Sequence, residues 1–197
     1  MKSPRTNTVV AAVIGLCIAA GSFVYGQSDA KTKNVVAIGP DVRITATAFD
    51  KLKKDVDLAY QMQGAQNNLT DEQILDLMLR DELFVRYGQK LGVKVKEAEV
   101  KKVIEQQREA LKQAGAQAEQ LQEMLYKNSG LTAETYWTDY STVNQYAKYL
   151  LQEKTIEYLV KKGELKTQED LQALQEKLLA EVKPELRVNF AADKPQT

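Results

Sequence analysis

From Ala46 to Val182 the chain is a succession of segments whose apolar residues recur every three or four positions. That spacing is the mark of helices with one buried face. Ahead of them, Val35-Val36-Ala37-Ile38 reads as a strand, Gly39-Pro40-Asp41 as a turn and Val42-Arg43-Ile44 as the returning strand. Thr45 is placed to cap the first helix, about Ala46 to Gln63, with Phe49, Leu52, Val56, Ala59 and Tyr60 on one side. Gly64 to Leu69 interrupts the pattern. Thr70, with Gln73 three residues on, forms a capping box for a second helix that runs to about Leu91 and stops at Gly92. Its apolar set (Ile74, Leu75, Leu77, Met78, Leu79, Leu83, Phe84, Val85, Tyr87, Leu91) exceeds one stripe, which predicts a central helix covered on both sides.

A third helix, about Glu97 to Ala114, turns Val100, Val103, Ile104 and Leu111 inward, and Gly115 breaks it. A short helix from about Ala118 to Lys127 follows, stopped by Asn128-Ser129-Gly130. The pattern then predicts one long helix, capped by Thr132 and running to about Lys162, with Tyr136, Tyr140, Val143, Ala147 and Leu150 along one face. Thr167 caps a last helix, about Gln168 to Val182, which Pro184 cannot continue. Leu186 to Phe190 alternates like a strand, and Arg187 to Phe190 is positioned to pair with the Val35 strand, since an isolated hairpin is marginal. Residues 191–197 read as a disordered tail. No internal repeat and no sustained heptad is evident.

Residues 1–27 read as a targeting element. Lys2 and Arg5 precede Val9 to Tyr25, 17 residues without a charge. A helix of that length spans about 25 Å, near the lower limit for a bilayer. An uncleaved anchor and a cleaved signal ending at Val24-Tyr25-Gly26 both fit, and both place the remainder outside the cytoplasm. Lipidation at Cys17 is disfavoured by Leu16 before it. Residues 28–33 form a short tether, so that the folded domain is expected over 34–190.

Composition narrows the chemistry. The 197 residues include no histidine and one cysteine. The side chain that titrates unaided near neutrality is therefore missing, as is any intrachain disulfide. Without Lys2 and Arg5 the chain carries 25 basic against 27 acidic residues, with no basic stripe to collect phosphates. Nucleic acid, nucleotide and metal are not expected as partners, and no cofactor motif occurs. The acid pairs Asp81-Glu82 and Glu169-Asp170 have basic neighbours in Arg80 and Lys166, and read as solvated faces or first-turn complements to the helix dipole. Asn68-Leu69-Thr70 matches a glycosylation sequon, but Thr70 is already accounted for as a cap.

Five of the nine tyrosines and the one tryptophan fall between Tyr136 and Tyr158. One helix cannot turn them all inward, because they spread around its circumference. The candidate surface for binding apolar polypeptide is therefore Tyr126, Tyr136, Trp137, Tyr140, Tyr146 and Tyr149, with Met62, Met78 and Met124 as an adaptable lining.

The order of elements also carries a resemblance. A hairpin leads into Ile44-Thr45-Ala46-Thr47-Ala48-Phe49. The Thr70-capped helix then ends in Lys90-Leu91-Gly92-Val93-Lys94-Val95, the Glu99-Val100 helix follows, and Ser129-Gly130-Leu131-Thr132 opens an aromatic-rich segment. Over about Val35 to Val160 this resembles the N-terminal chaperone domain of SurA- and PrsA-type extracytoplasmic folding factors. In that family a parvulin prolyl-isomerase domain usually follows the long helix, and a final helix and strand return to complete the core. Here Lys162 to Thr167 joins the two parts directly, and the histidines of parvulin sites are missing.

The resemblance implies a mainly α fold: a compact multi-helix chaperone core with a small three-stranded sheet near the joined termini. It implies an ATP-independent holdase for unfolded or exported polypeptides in the cell envelope, without isomerase activity. The alternative is a membrane-tethered adaptor for one folded partner, with the Ala/Gln-rich stretch Gln113 to Gln122 as its docking tip. An enzyme using paired carboxylates would require a concave site holding an acid of raised pKa.

Overall fold

A computed structural model of the chain describes residues 34–40 and 42–190, leaving out the side chains of Met62, Ala116, Gln117 and Leu121. The expected targeting element, tether and tail, and Asp41 of the turn, lie outside the described residues. Within them the chain is mainly helical. It runs β1 (Val35–Gly39), β2 (Val42–Thr45), α1 (Ala46–Met62), α2 (Asp71–Lys90), α3 (Glu97–Gln113), α4 (Ala116–Ser129), α5 (Tyr140–Lys161) and α6 (Gln168–Val182). A 3-10 turn, Lys183–Glu185, leads to β3 (Arg187–Val188). No helix among the described residues is long and apolar enough to cross a membrane.

The start signals act as their chemistry dictates. Thr45 Oγ1 accepts from the Ala48 N–H, and Thr70 and Gln73 exchange both bonds of a capping box. Thr167 and Asp170 do the same at α6. Gly92, Gly115 and Gly130 end or separate helices at positive φ, where a side chain would be strained.

The sheet is antiparallel in the order β2-β1-β3, with Ala37 opposite Val188 and Ile38 opposite Arg187. The two ends of the domain therefore meet in one sheet, as expected. Its inner face and α1 build the first core. Val36, Ile44 and Phe49 are fully buried there, joined by Leu75, Met78 and Leu79 of α2 and Leu179 of α6. Phe190 closes it, its ring 5.7 Å from that of Phe49.

A second core lies at the far end. Val100, Ile104 and Leu111 of α3 pack there with Ala118, Trp137, Tyr146 and Leu150. A smaller third core, Phe84, Leu159 and Leu165, seals the place where α2, α5 and α6 come together. Helix α2 thus serves the first and third cores and packs on α1, α5 and α6, the central position its broad apolar set predicts.

The long helix differs from expectation at its start. Thr132 caps a separate turn, through the Thr135 N–H, and residues 133–138 do not join α5. The helix begins at Tyr140, with Asp139 extended (φ −62°, ψ 139°) and accepting from the Ser141 N–H. Two competing caps seven residues apart split the run. The extended Asp139 resets the helical phase, so Trp137 turns inward while Tyr140 turns out, 64 % exposed.

Candidate functional site: a cleft along a polar seam

Helix α5 carries Gln145, Lys148, Gln152 and Thr155 at alternating three- and four-residue spacing. That is the spacing of a helix-packing stripe, but its residues are polar. The stripe faces α2. Near one end, Gly88 of α2 lies so close to Thr155 that a Cβ would overlap the Thr155 hydroxyl. Thr155 is fully buried, and its hydroxyl donates back to the Leu151 carbonyl at 2.7 Å. One turn along, Gln152 donates to the Asp81 carbonyl at 3.3 Å. Further on, Lys148 Nζ lies 2.8 Å from Glu82 Oε2, and Arg86 Nε 3.3 Å from Glu82 Oε1.

Glu82 is only 5 % exposed. A buried carboxylate is costly unless paired, and this one has two cations. The solvated face expected for Asp81-Glu82 is thus corrected. Arg80, their basic neighbour in sequence, reaches Glu176 of α6, at 2.8 Å. Burial pushes the Asp81 carboxyl up to about 7, against the opposing pull of Gln152 and Lys148. Burial likewise lowers the Lys148 ammonium, with Glu82 acting in the other direction. Glu169-Asp170, by contrast, sits exposed in the first turn of α6, as expected.

Where the seam opens to solvent there is a cleft of about 440 Å³. Val85, Val93, Val95, Ala147 and Leu151 supply the apolar part of its lining. Glu82, Arg86, Gln89, Lys94, Asn144 and Lys148 supply the polar one. Gly92 positions part of it: its positive φ ends α2 and carries Val93 to Val95 back across the opening. Such a mix, apolar area with a few fixed polar groups, is what binding clefts of this size present. Nothing in the arrangement brings a nucleophile and base together, and no cluster able to hold a metal occurs among the described residues.

Of the nine residues expected to bind polypeptide, none of the eight with described side chains lines this cleft. Met78 is 1 % exposed in the first core, and Trp137 and Tyr146 are each 5 % exposed in the second. These three fill the interior, a correction to the expectation that they face a client. The rings satisfy one another. Tyr126 and Trp137 each meet Tyr136 edge-on, at 5.2 and 5.1 Å, and the Trp137 indole N–H donates to the Tyr126 hydroxyl at 3.1 Å. Such pairs are favoured by the ring quadrupole, and the indole N–H and the Tyr126 hydroxyl are both hydrogen-bonded. Tyr126, Tyr136, Met124 and Tyr149 are half-buried, and the Met62 side chain lies outside the described residues. Among those described, Tyr140 alone stands well clear of the surface. It lies one helical turn before Asn144 and two before Ala147, on the stripe of α5 that borders the cleft.

Sequence reasoning missed the cleft because it followed rings. The available signal was polar: acids in the middle of the most apolar helix, and a polar stripe at packing spacing on α5. No curated protein and no solved structure matches the chain. A family match covers residues 1–150, most of the chain and nearly all of the stretch that builds the cleft, and by it the chain belongs to the SurA-like N-terminal domain family.

Proposed function

We propose that the protein is an ATP-independent chaperone of exported polypeptides, and that the cleft between α2 and α5 receives short apolar segments of its clients. SurA-like N-terminal domains are the chaperone part of their proteins, bind polypeptide and are typically extracytoplasmic. The observation that carries the reading is the cleft: five aliphatic side chains in its lining, with the exposed Tyr140 ring a turn beyond it. Burying a client side chain there is worth about 1.5–3 kcal/mol, enough for weak and sequence-tolerant capture. Half-buried Tyr136, Tyr149 and Met124 would add contact area. Isomerase chemistry forms no part of this reading, and the apolar N-terminal run would hold the domain at a membrane.

The test is suppression of aggregation of an unfolded model protein by stoichiometric full-length chain. Suppression that is lost when Gln89→Trp fills the cleft supports the reading. No suppression at all, with no crosslinks to exported proteins, overturns it. The burial of Trp137 and Tyr146 favours a second reading, an adaptor for one folded envelope partner, since it removes ring area from the surface. A pulldown separates the two: many unrelated clients for the chaperone, one dominant partner for the adaptor.

A further inference from the structure

Helix α4 is held differently from its neighbours. It begins after Gly115, at φ +76°, and ends at Gly130, at φ +70°. At both glycines a Cβ would meet nothing within 4 Å, so backbone conformation and not crowding requires them. Each is a swivel point, because glycine moves between positive and negative φ at little cost. Between them, Ala118 is the one buried residue among those with described side chains, whereas α2 buries nine. Leu125 and Tyr126 are half-buried against the second core. A helix that buries so little can leave its neighbours at modest cost. What α4 helps to cover is apolar: Leu111 of α3 is 2 % exposed, and Trp137, whose N–H is bonded to the Tyr126 hydroxyl, is 5 % exposed.

The last turn of α4 reaches across to the first helix. The Asn128 side-chain amide donates to Asp55 of α1, 73 residues away in sequence. Asp55 is 7 % exposed, and its other oxygen lies 3.5 Å from Lys51 Nζ. Burial pushes its carboxyl up, and Lys51 and Asn128 act against that. A buried carboxylate that loses a donor is costly, so this bond works as a catch.

From these features we propose that α4 is a hinged cover, turning on Gly115 and Gly130 and held shut by Asn128 on Asp55, and that its opening presents the face built by Leu111 and Trp137 to an amphipathic helical segment of a client. The occupant follows from the cover. The face already receives a helix that sets Ala118, Leu125 and Tyr126 against it, two turns apart, and a client helix of the same apolar spacing replaces that cover in kind. The inference rests on the chaperone reading and adds to it a second surface, closed until a client competes for it.

The experiment uses the full-length chain with Asn128→Ala, which releases the catch. In hydrogen exchange, residues 116–129 should exchange about tenfold faster in the variant and as one unit, while 71–90 are unchanged. Trp137, the one tryptophan, should become more accessible to acrylamide quenching. Peptide binding is then measured by anisotropy with the α2–α5 cleft filled by Gln89→Trp, so that only the covered face is read. The probe is a labelled, acetylated and amidated peptide of Leu, Ala and Gln, as long as α4 and with Leu at its apolar spacing. Where an open form is rare, apparent affinity rises in proportion to its population, so adding Asn128→Ala should tighten binding about tenfold. In the same background, Asp55→Cys with Asn128→Cys and Cys17→Ser, joined by a short bis-maleimide, should bind the peptide about tenfold more weakly than the unjoined form.

Unchanged exchange over 116–129 in Asn128→Ala overturns the catch. Equal binding by the joined and unjoined forms overturns the covered surface. Binding by the chain with an open cleft, but by no form with Gln89→Trp, also overturns it and leaves the chaperone reading standing with the cleft as its site. Absence of peptide binding in every form, with no suppression of aggregation, overturns the inference and the chaperone reading together.

Discussion

The sheet core and the aromatic core bury themselves by different means. The first is aliphatic, closed and built from both ends of the domain: β1, β2 and α1 at one end, Leu179 and Phe190 at the other. Its central side chains, Val36, Ile44 and Phe49, are wholly sealed from solvent. The second comes from one stretch of chain, Val95 to Leu150, and is ringed by half-buried Tyr126, Tyr136, Val143 and Ala147. Where α2 meets α5, charge and amide groups lie beside the small apolar cluster of Phe84 and Leu159. Of the rings that a sequence reading assigns to clients, Trp137 and Tyr146 are consumed in building the second core, with Tyr126 and Tyr136 packed against it.

Truncations test this contrast most severely. Phe49→Ala should cost about 3–5 kcal/mol and unfold the domain as a unit in denaturant, since the site is closed and joins distant parts of the chain. Trp137→Ala should cost a similar amount locally. By hydrogen exchange, residues 97–137 should lose protection while β1 and α1 keep theirs. Simultaneous loss in both regions would show that the two cores are one cooperative unit.

The seam gives the next largest effect. Gly88→Ala drives a methyl into the Thr155 hydroxyl and should destabilise by about 1–3 kcal/mol. Thr155→Ala removes that obstruction, so the double variant should recover most of the loss, read as coupling in a double-mutant cycle. Additive losses would contradict the close approach of α2 and α5.

Asp81 supplies a pH dependence with a definite sign. Its carboxyl titrates near 3.8 in the unfolded chain and at about 7 in the fold, so ionisation opposes folding. Its contribution is most favourable below pH 4 and is lost as pH rises from about 4 to 7. Asp81→Asn, which does not titrate, should therefore raise Tm by roughly 5 °C at pH 8 and leave it nearly unchanged at pH 4. A gain independent of pH would sink this account. Smallest of all, Thr70→Ala should cost about 1 kcal/mol through loss of the α2 cap.

The architecture was legible wherever local chemistry acts alone. The caps at Thr45, Thr70 and Thr167, the glycine stops and the central role of α2 follow from residue type and spacing. The third strand also followed, because a hairpin needs a partner and Arg187 to Phe190 alternates correctly. The start of α5 did not, since Thr132 and Asp139 are both good caps and only packing of Trp137 decides between them. The cleft was least legible. A polar side chain at a packing position reads as solvated until a second helix is known to cover it, and Glu82 and Lys148 are 66 residues apart in sequence.

The claim that clients enter the seam is tested most directly by a photo-crosslinking residue placed in turn at Gln89, on the cleft, and at Val160, an apolar position 53 % exposed outside its lining. With a chemically unfolded client, crosslinks should form from Gln89 and be absent or trace from Val160. Equal capture at both positions, or capture at Val160 alone, would contradict the account.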